Sequence, residues 1–364
     1  MSWHCPAIDH GIAVFPDQKI RPCCQTSAEY SKPLSAIIDP HRFSDLKSQN
    51  RPEACRKCWE QEDRNEKSYR HQYLSLSQEP GSGIQFLDFR HTNHCNLKCR
   101  YCGPHFSNQW AKELGYQPIL KKSKISDYID LLLTDDLRDI YWCGGEPLII
   151  KDHFEMLVRL VTSGKSKNIS LRYNTNLTVL EYKDIDIIDL WKHFKKVRIM
   201  TSVDCVGEVA NYIRSGCSWE VIEKNIKKLC EISQLNTHIS LIFTPTVSML
   251  NLWFLPELFQ YAKIRKIKIN LNILHGPDYL SLDAIPVKLQ SLAREKIEMI
   301  RSDIPEYVYR SMNDMLIRDD NEYLFLHAIR HILLLDKIRN EKLWDFLPYK
   351  DIAIDLTLKN YEYE

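Results

Sequence analysis

No apolar run in this chain of 364 residues approaches the roughly 20 residues a membrane-spanning helix needs. The opening, MSWHCPAIDH, lacks the basic stretch and apolar core of a secretory leader. An excess of one charge is missing too: 49 Lys and Arg stand against 48 Asp and Glu, for a formal net charge of +1. There is thus no global field to draw the protein to nucleic acid or an anionic membrane, although a local basic patch is compatible with that balance. No internal repeat or low-complexity tract is visible. These absences point to a soluble, cytoplasmic protein, and 44% hydrophobic residues suffice to bury a substantial core.

What the sequence has in quantity is cysteine. Twelve are present, too many in too long a chain for the disulfide framework of a small secreted domain, and their tight spacings suit metal or redox chemistry. Eight precede position 103, in two groups: Cys5, Cys23, Cys24, Cys55 and Cys58, then Cys95, Cys99 and Cys102. Cys143, Cys205, Cys217 and Cys230 are scattered, and a buried apolar role is expected of each.

After about residue 84, β-rich runs alternate with amphipathic segments. The runs are 84–90, 138–143, 169–174, 197–203, 238–244 and 267–273. The last predicts a single strand with Ile267, Ile269, Leu271 and Ile273 on one face. Between them lie helix-length segments such as SDYIDLLL, with Ser126 as its expected N-cap, and SWEVIEKNIKKLCEI from Ser218. Six strands with helical crossovers imply an α/β parallel sheet, open or curled into part of a barrel, with reactive groups beyond its carboxyl ends. Residues 1–83, ending in the loop-like QEPGSG, read as a small metal-dependent unit. Residues 84–285 form the α/β core, and 286–364 a helical region packed over it.

HCNLKCRYC places the thiols of Cys95, Cys99 and Cys102 in one loop after the first core strand. A cubane iron-sulfur cluster needs four thiolates unless something else fills the last iron, so three leave one open site. An open iron in a dry pocket can bind the amino and carboxylate groups of S-adenosylmethionine. The alternative is a closed zinc site completed by His91, His94 or His105.

The spacing C-x3-C-x2-C, with Tyr101 before the third cysteine, resembles the signature of the radical S-adenosylmethionine (SAM) enzymes. Trp142-Cys143-Gly144-Gly145-Glu146-Pro147 is similar to that family's GGEP segment, whose backbone and glutamate hold the methionine amino group. Asn174 and Asn176 after the third strand, and Ser202 and Asp204 after the fourth, resemble positions that contact the ribose or methionine. In peptide-modifying members an arginine matching Arg214 faces the methionine carboxylate, an exposed salt bridge being the alternative, and Leu271 and Ile273 would flank adenine unless they pack in the core. Cys205 departs from the family, where many relatives have glycine.

The resemblance covers roughly residues 84–275. It implies a partial (β/α)6 TIM-like barrel, a [4Fe-4S] cluster with bound SAM, and an electron donor such as flavodoxin or ferredoxin. The earlier cysteines look like a shortened auxiliary-cluster (twitch or SPASM-type) region, here preceding the barrel. That implies a second [4Fe-4S] cluster on Cys5, Cys55, Cys58 and either Cys23 or Cys24, with Cys23 favoured because it directly follows Pro22. A structural zinc site is the alternative.

The functional expectation is therefore hydrogen abstraction from a peptide or protein side chain, leading to crosslinking, oxidation or epimerisation. Modification of a nucleotide, sugar or small metabolite is the runner-up. A non-enzymatic, metal-stapled binding protein is the alternative from another class. Nucleic-acid binding ranks last, for want of a basic stripe.

Overall fold

The structure is a computed structural model that describes residues 4–77, 83–116, 125–316, 322–342 and 345–347. QEPGSG, apart from Gly83, and the chain beyond Leu347 lie outside the described residues.

Among the described residues nine strands form the main sheet: β1 (Gly11–Val14), β2 (Lys19–Arg21), β3 (Lys32–Pro33), β4 (Phe86–Phe89), β5 (Asp139–Trp142), β6 (Ser170–Thr175), β7 (Lys196–Thr201), β8 (Ile239–Phe243) and β9 (Lys268–Ile269). Their order is β9-β8-β7-β6-β5-β4-β1-β2-β3. The six strands expected from the sequence thus lie side by side in chain order, all parallel. Helices return the chain between them, among them α1 (Pro6–His10) at the start, then α2 (Arg56–Asp63), α3 (Tyr69–Leu76), α4 (Asn108–Glu113), α5 (Lys151–Thr162), α6 (Glu208–Ile213), α7 (Trp219–Leu235) and α8 (Leu255–Ile264). This is the partial barrel with a helical C-terminal region: α9 (Val287–Met299), α10 (Glu306–Met315) and α11 (Glu322–Arg339).

Burial follows the two-residue period of the strands. In β7, Val197, Ile199 and Thr201 are buried beneath the helices, while Lys196, Arg198 and Met200 face the more open side. All four residues of β4 and of β5 are buried. There the inner face is also covered, by the N-terminal region: the Tyr73 ring of α3 lies 5.0 Å from that of Phe86. Among the described residues no helix is long and apolar enough to cross a membrane.

Three expectations need correction. Residues 1–83 do not stand apart, because β1 pairs in parallel with β4, Gly11 opposite Phe86 through Val14 opposite Phe89, and β2 and β3 extend that edge. Four short apolar residues in β1 bury themselves more cheaply on an existing sheet than in a core of their own. The run 267–273 is not one strand. Lys268–Ile269 joins β8, whereas Asn272–Ile273 pairs with Thr246–Val247 in a separate two-stranded sheet. The break arises opposite Pro245, which has no N–H to donate across the ladder, although its carbonyl still accepts from the Asn272 N–H at 3.0 Å. Finally, Ser126 does not cap an α-helix; a 3-10 turn at Ile125–Tyr128 precedes the short helix Ile129–Leu132.

Candidate active site

The cysteine loop leaves the carboxyl end of β4 and is held by backbone bonds from two sides. Lys98 N–H donates to the Ser215 carbonyl at 2.8 Å and Arg100 N–H to that of Ile213 at 2.9 Å. On the other side Cys95 N–H donates to the Asn108 side-chain oxygen at 2.9 Å, and the Trp110 indole to the Cys99 carbonyl at 2.9 Å. The loop is therefore fixed before any ligand arrives, although its thiols carry only weak contacts. Burial, then the neighbouring Cys99, pushes Cys95 and Cys102 up to about 12. Thiols this reluctant to ionise alone give up their protons when a metal binds, which is the donor chemistry an iron-sulfur cluster requires.

Beneath the loop runs the end of β5. Gly144 and Gly145 have φ of +75° and +56°. A Cβ on Gly145 would sit 2.2 Å from the His94 carbonyl oxygen, and Glu146 N–H donates to that same oxygen at 2.8 Å. The glycines bring β5 against the cysteine loop. Gly145→Ala combines left-handed backbone with a backbone clash, so it is expected to cost more than about 2 kcal/mol. Urea unfolding and iron content of the reconstituted variant measure this.

The two predicted carboxylates bind protein. Glu146, fully buried with its carboxyl pushed up by that burial, accepts from Leu148 N–H at 3.0 Å, the Thr175 hydroxyl at 2.7 Å and Asn176 N–H at 2.6 Å. It ties the end of β5 to that of β6. Asp204 accepts from the Tyr101 hydroxyl and from Thr246 N–H at 2.8 Å, and pairs with the Arg214 Nε at 2.8 Å. Arg214 in turn donates from Nη1 to the Cys99 thiol at 3.5 Å. Burial works against the Arg214 charge, but Asp204, Tyr101 and Cys99 hold it protonated. This pair is buried, not the exposed salt bridge considered above. Tyr101, Asp204, Arg214 and Cys99 form one connected chain.

Asn176 is likewise occupied, donating to the Asn96 side chain at 2.9 Å and accepting from Thr178. Asn174 and Ser202 differ. They lie half-buried at the ends of β6 and β7 on the face that carries Arg172 and Arg198, and neither side chain has a hydrogen-bond partner among the described residues. Leu271 stands away from them at the outer edge, half-buried between β9 and Asn272–Ile273.

Several site-forming residues carried no signal in the sequence. Arg100, inside the cysteine motif, pairs with Asp336 of α11 at 2.6 Å and with Glu341, while its guanidinium lies 3.6 Å over the Tyr212 ring. Arg339 binds Glu113 at 2.6 Å and the Lys98 carbonyl at 3.0 Å. The C-terminal helix thereby grips the cysteine loop through contacts more than 200 residues apart in sequence.

In the first cysteine group, Cys5 precedes α1, Cys23 follows β2, and Cys55 and Cys58 lie one turn apart at the start of α2. All four are buried. Burial raises the Cys5 thiol most, followed by Cys23, with Cys55 and Cys58 contributing; Cys55 is pushed up to about 12 by burial, then by Cys23 and Cys58. The adjacent pair diverges. After burial, Cys24 feels Asp88 and Arg90 most strongly, whereas it is Cys23 that raises Cys5, Cys55 and Cys58. Among the described residues no three His, Cys, Asp or Glu side chains converge closely enough to hold a single metal ion. Of the scattered cysteines, Cys143 and Cys205 are buried as expected, while Cys217 and Cys230 are only half-buried.

Residues 89–252, from the last residue of β4 through the end of the loop after β8, match the model of the Radical SAM superfamily. This stretch is similar to a radical SAM domain. Among similar curated proteins, the GTP 3',8-cyclase of Campylobacter lari is 25% identical over 193 residues, covering 52% of this chain and 55% of the relative. That of Campylobacter fetus subsp. fetus is 30% identical over 96 residues, covering 26% and 28%. The chain thus spans about half, or less, of the length of these relatives. A solved structure of native anSMEcpe with bound AdoMet and Cp18Cys peptide overlaps 67% of this chain and 65% of its own, at 16% identity and a TM-score of 0.41. The cofactors of a radical SAM domain are a [4Fe-4S] cluster and SAM, and the donor set of the loop fits them: three soft thiols in one segment, of which Cys95 and Cys99 accept only long hydrogen bonds, from Leu97 N–H and Arg214 at 3.5 Å each.

Proposed function

We propose that Cys95, Cys99 and Cys102 hold the [4Fe-4S] cluster of a radical SAM enzyme that abstracts hydrogen from a peptide or protein side chain. The observation that carries the reading is the packing of the three-thiol loop against the Gly144-Gly145 turn and the Asp204–Arg214 pair at the carboxyl ends of the strands. When bound, the cluster supplies an electron that cleaves SAM to methionine and a 5'-deoxyadenosyl radical. Gly144 and Gly145 fit the loop onto β5, Glu146 and Asp204 set the strand ends, and Arg214 places a positive charge against Cys99, favouring its thiolate. Asn174 and Ser202 present free hydrogen-bonding groups to SAM. Replacing both with alanine is expected to raise the KM for SAM about tenfold, since each lost bond is worth about 0.5–1.5 kcal/mol, while iron content stays at the wild-type level. Steady-state 5'-deoxyadenosine formation checks this.

Cys5, Cys23, Cys55 and Cys58 supply four thiolates for a second [4Fe-4S] cluster, with an electron donor such as flavodoxin or ferredoxin serving the site and the reducing cytoplasm its setting. Cys23→Ala is expected to lose about four irons per chain and Cys24→Ala none, as read by iron and sulfide assay after anaerobic reconstitution. Equal loss in both variants, or zinc in the purified protein, contradicts the assignment.

The peptide substrate rests on the resemblance of the cysteine-rich N-terminal region to peptide-modifying enzymes. A nucleotide substrate is the second reading, favoured by the relatives named GTP 3',8-cyclase. Deuterated candidates separate the two: label passes into 5'-deoxyadenosine only from the true substrate. Transfer from a labelled nucleoside triphosphate and from no peptide would reverse the order.

A further inference from the structure

A cavity of about 510 Å³ opens at the outer edge of the sheet, lined by residues of β7 and β8, the end of α7 and the turn after α8. Five cations line it, Lys196, Arg198, Arg265, Lys266 and Lys268, and no acidic residue does. Arg265 is answered by Glu223 at 3.2 Å. The other four have no acidic partner among the described residues.

The same place is an open strand edge. β9 pairs only with Ile242 and Phe243, so the first three residues of β8, Ile239, Ser240 and Leu241, have no strand neighbour on that side among the described residues. Such an edge presents backbone N–H and C=O groups ready to pair with another chain. Its apolar side chains, Ile239 and Leu241, are buried beneath α7 and α8, whereas Ser240 and Ile242 are half-exposed.

We infer that this edge takes up an extended, acidic segment of polypeptide as an added strand on β8. The backbone ladder supplies affinity without regard to sequence, and the four unanswered cations select for carboxylates. Lysines at an edge also deter pairing between copies of one protein. Here the single sign of charge does both: it repels the same edge of a second copy and attracts an acidic strand. An RNA strand would satisfy the cations but leave the β8 backbone groups unpaired, which is why polypeptide is favoured. The inference concerns recognition alone and holds whichever substrate is modified at the far end of the barrel.

The test uses the full-length, anaerobically reconstituted protein and a fluorescein-labelled nine-residue peptide of alternating Glu and Val, followed by fluorescence anisotropy. Binding is expected to weaken as salt rises, to weaken at least about tenfold when the central Val is replaced by Pro, which removes a ladder donor, and to vanish when Lys replaces Glu. The double variant Lys196→Glu and Lys268→Glu is expected to bind about tenfold more weakly with wild-type iron content. Equal affinity for the Pro peptide would overturn strand addition. No measurable binding of the acidic peptide, or its complete displacement by a ten-nucleotide oligouridylate at equimolar concentration, would overturn the inference as a whole.

Discussion

Replacing Cys95, Cys99 and Cys102 together with alanine is expected to abolish 5'-deoxyadenosine formation and to lower iron from about eight to about four per chain. The loop itself should survive. Its anchors are the backbone bonds to Ser215 and Ile213 and the Asn108 and Trp110 contacts, none of which uses a thiol. The variant should therefore unfold at nearly the wild-type urea midpoint when both proteins are metal-free, separating loss of chemistry from loss of fold. Retained cleavage of SAM by the variant would mean that the first cysteine group, not the second, carries the reactive cluster. Zinc in both groups with no cleavage under any reducing condition would leave a metal-stapled binding protein.

The second large effect lies at a residue with no chemical role. Arg100→Met is expected to destabilise the protein by about 3–5 kcal/mol, because it leaves Asp336 and Glu341 without the buried cation between them. The wild-type side chain is wholly buried, bonds the Tyr212 carbonyl at 3.1 Å and lies over that ring, while the Tyr212 hydroxyl donates to Asp336 at 3.0 Å. Urea unfolding measures the loss. A shift below about 1 kcal/mol would mean that water replaces the guanidinium and that the helix–loop grip is looser than the structure indicates. Adding Asp336→Asn and Glu341→Gln to Arg100→Met should recover part of the loss, since no uncompensated charge then remains.

The parts of the fold legible in the sequence are those set by local pattern. Five of the six core runs became strands within a residue or two, because alternation in segments such as KVRIMT and ISLIF reflects one face turned to helices. The sixth misled because alternation reports which side is buried and not which neighbour is paired; Pro245, on the partner strand, breaks the ladder where 267–273 itself shows nothing. The place of β1 was hidden for a similar reason, since four apolar residues do not reveal that their partner lies some 75 positions later.

At the site, spacing gathered the cysteine loop, the glycine pair and the polar strand ends. It did not tell side chains bonded within the protein from those left without a hydrogen-bond partner among the described residues. Glu146 and Asp204 bond backbone, hydroxyl and guanidinium groups of the protein, whereas the side chains of Asn174 and Ser202 have no hydrogen-bond partner among the described residues. That division depends on side-chain partners such as Thr175 and Thr246, which no motif marks. The grip of Asp336, Arg339 and Glu341 on the loop is the extreme case, a helix at one end of the chain acting on a motif more than 200 residues away.

The β1–β4 pairing carries a consequence for assembly. Cys5 and Cys23 hang from the amino end of this strand pair, while the loop of Cys95, Cys99 and Cys102 hangs from its carboxyl end, across four paired positions and about 13 Å of strand. A ligand that binds only the folded arrangement stabilises whatever that arrangement requires. If the second cluster proposed for the first cysteine group forms, metal captured at either end would stabilise the ladder that shapes the other, so a chain that has filled one site would be the better acceptor for the second and half-loaded molecules would be the scarce species.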